Sequence, residues 1–167
     1  DGTIFPAEAS ITKISNGGQT FFSVVLRDIS EHKQAEQMLA GKEQRYRSTL
    51  DSMLEGCQII GFDWRYLYLN ATAEKHNRRA NEELLGKKYM DMWAGIESTE
   101  VFVIIRRCME ERIAHQMENE FIFPDGTMGW FELSIQPVPE GIFILSQDIT
   151  ERKRAEMEMA RRLRNIK

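Results

Sequence analysis

Asp125–Glu151 reads DGTMGWFELSIQPVPEGIFILSQDITE, and the fold turns on how this stretch divides. Phe131, Leu133 and Ile135 alternate with Trp130, Glu132 and Ser134, which puts the two sets on opposite faces of a strand over Met128–Pro137. Pro124-Asp125-Gly126 is a turn before it. A second apolar run, Gly141–Ile149, follows, and Asp148 then opens a helix. The unit is strand, turn, strand and helix.

The same unit occurs once more, upstream. Asp1-Gly2-Thr3 returns as Asp125-Gly126-Thr127, and Glu8, Ser10 and Ile11 return as Glu132, Ser134 and Ile135, each 124 positions on. Asp28-Ile29-Ser30-Glu31 returns as Asp148-Ile149-Thr150-Glu151, 120 positions on. Lys33, Ala35, Glu36 and Ala40 follow as Lys153, Ala155, Glu156 and Ala160. The offset drops by four between the blocks, and length changes of this kind sit in hairpin loops. In the first copy, strands over Ile4–Ile14 and Phe21–Ile29 flank Asn16-Gly17-Gly18, where Asn-Gly favours a tight turn. The first copy lacks everything that precedes Asp125 in the second, and a lone hairpin is marginal in water. Residues 1–30 are therefore expected to end a domain that begins outside this chain, or to pair with an exposed sheet edge on this chain or a neighbour.

Between the copies the pattern changes. Asp28 and Glu31 have capping-box spacing for a helix that carries Ala35, Met38 and Leu39 on through Tyr46 and Leu50, with Gly41 as the place for a break or bend. Gly56–Phe62 and Tyr66–Asn70 read as strands joined at Asp63-Trp64-Arg65. Ala71–Arg79 and Asn81–Leu85 read as short polar helices, stopped at Gly86. Glu97–Gln116 reads as the strongest helix, with Val101, Ile104, Ile105, Cys108 and Met109 on one face. Met117–Phe123 opens the three closing strands, and Glu151–Ile166 is a final helix. This order predicts an α+β fold: a five-stranded antiparallel sheet with short helices and one long helix on one face.

The chain of 167 residues has a net charge of −4, with 42% hydrophobic and 29% charged residues, a globular composition. A mildly acidic chain offers no field for phosphate backbones, which argues against nucleic acid as a partner. Cys57 and Cys108 each sit in apolar sequence with no CxxC, so two reduced core thiols and a reducing compartment, the cytoplasm, are expected. The longest apolar runs are about five residues, against the ~20 of a membrane helix. No basic-then-apolar signal segment opens the chain, so this segment is expected to make no membrane contact.

Four segments resemble those of PAS sensor domains with a C-terminal PAC motif. They are Tyr68-Leu69-Asn70 followed by Ala73-Glu74; Glu83-Leu84-Leu85-Gly86-Lys87; Phe123-Pro124-Asp125-Gly126-Thr127 with Trp130; and Asp148-Ile149-Thr150-Glu151-Arg152-Lys153. Each is weak alone; their order, and the repetition of the last at Asp28, carry the likeness. The resemblance implies a PAS domain over 47–150, the C-terminal hairpin of an upstream PAS domain over 1–30, a linker helix over 31–46 and an outgoing signalling helix over 151–167. It implies a sensory and signal-relay module of a multidomain protein, most often a bacterial or archaeal sensor histidine kinase in a two-component phosphorelay. The implied partners are a second copy, neighbouring PAS and kinase or other output domains of the same chain, and a small-molecule ligand. The alternative is a ligand-free dimerisation spacer in a diguanylate cyclase or transcription regulator.

The residues argue against catalysis by this segment. None of His32, His76 and His115 sits in a phosphoacceptor box, and there is neither a Gly-rich nucleotide loop nor an HExxH. Zinc would need clustered Cys and His, and none cluster. Flavin-binding relatives of PAS domains carry a reactive cysteine in an Asn-Cys-Arg-Phe context, which is absent. Haem-binding ones often use a histidine in or beside the long helix, and residues 97–114 contain none. Haem and flavin are therefore not expected.

By the resemblance, a ligand pocket between sheet and helices would be walled by Trp93, Phe102, Ile105, Phe121, Phe131, Leu133, Phe143 and Leu145. Asn119 shares a face with Met117 and Phe121 and would add a polar contact. The same residues also suit a solid core, and pocket shape is not readable from sequence. At the exit, Asp148 and Thr150 can satisfy free helix N–H groups and set the angle of the outgoing helix. Asp28 and Ser30 repeat that arrangement, which favours a common transmission joint over two unrelated caps. The outgoing stripe of Ala155, Met159, Leu163 and Ile166 suits docking on its own domain or pairing with a twin.

Overall fold

A computed structural model describes residues 1–166. The chain divides after Ser48 into two compact units.

The first unit is a hairpin of β1 (Ala7–Asn16) and β2 (Gln19–Asp28), followed by α1, which runs Ser30–Asp51. Asn16 pairs with Gln19, so the two-residue loop is Gly17-Gly18, one residue later than the Asn-Gly reading places it. Both glycines have positive φ, 59° and 80°, as a type I′ turn requires. The helix passes through Gly41 without a break. Neither strand nor helix buries a residue. The helix is braced by pairs such as Arg47–Glu43 at 3.2 Å, worth about 0.3–0.5 kcal/mol each, far less than the roughly 2 kcal/mol of one buried leucine.

The second unit holds β3 (Gly56–Gly61), β4 (Tyr66–Leu69), α2 (Ala71–Asn77), α3 (Asn81–Leu84), α4 (Tyr89–Met92) and a 3₁₀ turn (Ile96–Ser98). Then come α5 (Glu100–Glu111), β5 (His115–Ile122), β6 (Met128–Val138), β7 (Gly141–Asp148) and α6 (Thr150–Arg164). The sheet is antiparallel in the order β4-β3-β7-β6-β5. Its inner face, with Ile60, Leu133, Ile135, Ile142 and Ile144, packs on Val101, Phe102, Ile105, Cys108 and Met109 of α5.

The long helix is shorter than its apolar pattern suggests. Thr99 accepts from the Phe102 amide at its start, and Arg112 ends it in the left-handed region with φ 59°. His115 consequently lies in β5, opposite Ile135, and not at a helix end. The Arg112 guanidinium also holds the β6–β7 connection, donating to the carbonyls of Gly141 (2.8 Å) and Val138 (2.5 Å).

Asn70 ties the front of the unit together. Its side chain is fully buried; Oδ1 accepts from the amides of Cys57 (2.8 Å) and Ala73 (2.9 Å), capping α2. Its Nδ2 donates to the carbonyls of Leu50 (2.7 Å) and Glu55 (3.1 Å). All four hydrogen-bonding positions of the amide are thereby used. No helix among the described residues is long and apolar enough to cross a membrane.

The hairpin of the first unit can be compared face for face with β6–β7. Ala9, Ile11, Phe22, Val24 and Leu26 share one face of it, by the pairs Ala9–Leu26, Ile11–Val24 and Lys13–Phe22. The repeat offsets map these five onto Leu133, Ile135, Ile142, Ile144 and Ser146, the inward face of β6–β7. The face that is buried in the second unit is exposed in the first.

Candidate functional site

Two features sit side by side on β6 and β7. One is a cavity on the inner face; the other is the joint at which α6 leaves the sheet.

The cavity measures about 70 Å³ and lies among α2, α4, α5 and the sheet. Trp93, Ile105, Asn119, Phe121, Phe131 and Leu133, all expected from the sequence, line it. Phe102 does not: it is buried beside it, with its ring 5.3 Å from that of Trp64. Phe143 and Leu145 correct the sequence expectation outright. Ile144 stands opposite Ile135, and Phe143 opposite Gln136, so Ile142, Ile144 and Ser146 face inward and Phe143 and Leu145 face the other side of the sheet.

The polar wall is made by residues that sequence reading passed over: Gln58, His76, Asn77 and Ser146. His76 reaches in from α2, with Nδ1 2.8 Å from Ser146 Oγ and its ring 5.2 Å from that of Phe131. Burial pulls the imidazole pKa down, partly offset by the Asp148 charge. Asn77 Nδ2 donates to Gln58 Oε1 at 3.1 Å. One signal for this wall exists in the sequence: Gln58 interrupts an otherwise apolar strand, Cys57-Gln58-Ile59-Ile60.

Aromatic rings enclose the other side. Trp93 meets Phe121 edge-on at 5.3 Å, and Phe121 meets Phe123 at 5.0 Å. The Trp93 indole donates to the buried phenol of Tyr66 at 2.7 Å, fixing its tilt. Burial raises the Tyr66 and Tyr89 pKa values well above the ordinary phenol, so both stay neutral. A surface groove of about 580 Å³ shares Trp93, Ile96, Val101, Asn119 and Phe121 with the cavity and leads to it from outside.

At the joint, Asp148 Oδ1 accepts from the amide and hydroxyl of Thr150, at 2.9 and 2.5 Å. The Trp130 amide donates to Thr150 Oγ1 at 3.0 Å, and the Ile149 amide donates to the Trp130 carbonyl at 2.9 Å. Lys153, one turn along α6, pairs with Glu118 of β5 and lies 5.2 Å from the Trp130 ring centre. Arg152 donates to the same carboxylate at 2.8 Å. The hydrogen bond from Lys153 is the main cause that holds the Glu118 pKa down.

The upstream joint is built alike. Asp28 Oδ1 accepts from the amide (2.8 Å) and hydroxyl (2.6 Å) of Ser30, which lower its pKa, and the Ile29 amide donates to the Pro6 carbonyl at 3.1 Å. Pro6 occupies the position of Trp130 in the repeat. It has no N–H, so Ser30 lacks the backbone donor that Thr150 has.

Both cysteines are free, buried thiols whose pKa values burial raises. No group of His, Cys, Asp and Glu among the described residues is arranged to hold a metal.

The family model for the PAS fold matches residues 50–154. The chain belongs to the PAS family. A further PAS domain model matches residues 1–31. No curated protein matches the chain. Among solved structures, the PAS domain of a Colwellia psychrerythraea protein superposes with a TM-score of 0.54 at 15% identity, over 65% of this chain and 97% of that one. A domain of a sensory box sensor histidine kinase/response regulator from Geobacter sulfurreducens gives 0.53 at 20% identity, over 66% and 96%. An RNA-binding light-oxygen-voltage receptor gives 0.59 at 19% identity, over 78% of this chain and 39% of that one. At these identities the likeness is one of fold. In this PAS domain the cavity and the helix exit thus meet at consecutive residues, Phe131 on the cavity wall and Trp130 at the joint.

Proposed function

We propose that this chain is the sensory and relay part of a sensor histidine kinase, with a small ligand held in the cavity and the signal passed through α6. The observation that carries the reading is the adjacency of Phe131 and Trp130. Phe131 lies opposite Asp148 in the sheet, and Ser146, on the polar wall, is two residues before that aspartate. A ligand that moves Phe131 or takes the Ser146 hydroxyl from His76 acts on the two strands that hold Thr150. Catalysis belongs to other domains of the parent, which works in the reducing cytoplasm.

On this reading residues 1–30 are the closing hairpin of an upstream PAS domain, 31–46 a linker helix, 47–150 the sensor and 151–167 the outgoing helix. Lys167, the last of that span, lies outside the described residues. The exposed inner-type face of β1–β2 supports the first assignment, because it carries the residues that β6–β7 bury. The exposed Met157, Met159 and Leu163 support a homodimer formed along α6.

Autophosphorylation of the full-length parent tests the proposal. The wild type incorporates phosphate from ATP, and Thr150→Ala changes the rate at least twofold with an unchanged circular dichroism spectrum. A parent without kinase activity, or a variant with the wild-type rate, refutes it. The small size of the cavity favours one competing reading, a ligand-free spacer, for which no added compound alters the rate.

A further inference from the structure

The cavity walls also bear on what enters, an inference that rests on the sensory reading above. No Asp, Glu, Lys or Arg lines the cavity. The nearby guanidinium groups are engaged elsewhere: Arg78 lies over Phe123 (3.6 Å to the ring centre) and pairs with Asp125, and Arg79 lies over Trp93 (4.7 Å) at the groove. An ion inside would lose its hydration with no counter-charge to replace it.

Two polar groups on the wall have hydrogen-bonding capacity left. The Asn119 carboxamide, half-buried, makes no hydrogen bond to any described residue. Gln58 uses its Oε1 on Asn77 and has both N–H bonds of Nε2 unused among the described residues. His76 and Ser146 satisfy each other. The cavity therefore offers donors from Gln58 and a donor–acceptor pair from Asn119. A carboxylate could accept from both side chains but gives the Asn119 carbonyl no donor; a primary amide or urea-like group pairs with both functions at once. The volume of about 70 Å³ corresponds to roughly five to seven water-sized groups, several-fold below an ordinary drug-sized site of about 300–1,000 Å³.

We infer that the cavity takes an uncharged molecule of about five to seven non-hydrogen atoms that carries a carbonyl beside an N–H or O–H donor, held by Gln58 and Asn119 against the Trp93 and Phe121 rings.

Propionamide and propionate, equal in shape and different in charge, are the probes. Each is titrated into the ¹⁵N-labelled 167-residue chain to the millimolar range that so small a molecule needs. Propionamide is expected to shift the side-chain amide signals of Gln58 and Asn119 saturably, and propionate to bind at least tenfold more weakly. Asn119→Leu weakens propionamide at least tenfold while the backbone spectrum stays folded. Propionate binding as well as propionamide at these signals overturns the ligand class and leaves the sensory reading standing. Shifts confined to other residues overturn the site. Silence from both probes in a folded wild-type chain overturns the inference and counts for the spacer.

Discussion

Nδ1 of His76 lies 2.8 Å from the hydroxyl of Ser146, which joins the first helix after β4 to the last strand of the sheet. The folded-state pKa of this histidine is depressed because burial disfavours the charged ring. The unfolded chain therefore takes up its proton first as pH falls. His76 should cost no stability above its ordinary value of 6.5, and stability should fall below that until the folded pKa is passed. Thermal melts from pH 8 to pH 5 check this: the wild type should lose stability in the lower part of the range, and His76→Gln should be flatter. The depressed carboxylates Asp28, Glu118 and Asp125 act lower, their contributions fading only as pH drops below about 4.

Asn70→Ala should be among the most damaging single changes. It removes all four hydrogen bonds of a fully buried amide and leaves the Cys57 and Ala73 amides without their acceptor. A loss of about 3 kcal/mol is expected in chemical denaturation. Asn70→Asp should not rescue it, since a carboxylate would face the carbonyls of Leu50 and Glu55.

Gly141→Ala tests the pairing of β3 with β7. Gly141 stands opposite Gly61, and a Cβ there would collide with the Ile60 carbonyl oxygen and the Gly61 backbone. Backbone cannot step aside as a side chain can, so about 3 kcal/mol of destabilisation is expected, read as a lowered denaturation midpoint. A midpoint equal to wild type would mean that the two strands are further apart than described.

Thr150→Ala should cost only about 1 kcal/mol, as the loss of a helix cap does. Thr150→Ser should restore that loss, because Ser30 makes the same contacts with Asp28. Hydrogen exchange at the amides of Trp130 and Thr150 checks it: faster in the alanine variant, unchanged in the serine one.

Much of this architecture is legible because the sequence states it twice. Asp28-Ile29-Ser30 and Asp148-Ile149-Thr150 are the same joint, and strict alternation in Phe131–Ile135 fixes the inner face of β6. The run Ile142-Phe143-Ile144-Leu145 contains no such alternation, since all four are apolar. Its parity follows only from the pairing of Ile144 with Ile135. The end of α5 is hidden for another reason: Arg112 takes the left-handed position usually signalled by glycine. The polar wall is hidden because His76 and Ser146 are 70 residues apart and meet only in the fold.

Pro6 in place of Trp130 gives the two joints different compliance. The exit at Thr150 is fastened by a backbone amide that the exit at Ser30 does without. Two springs loaded in series share a force equally but not a deflection, and the softer one yields further. A twist sent along this chain should therefore bend the upstream joint more and arrive at the downstream one as a smaller, stiffer motion.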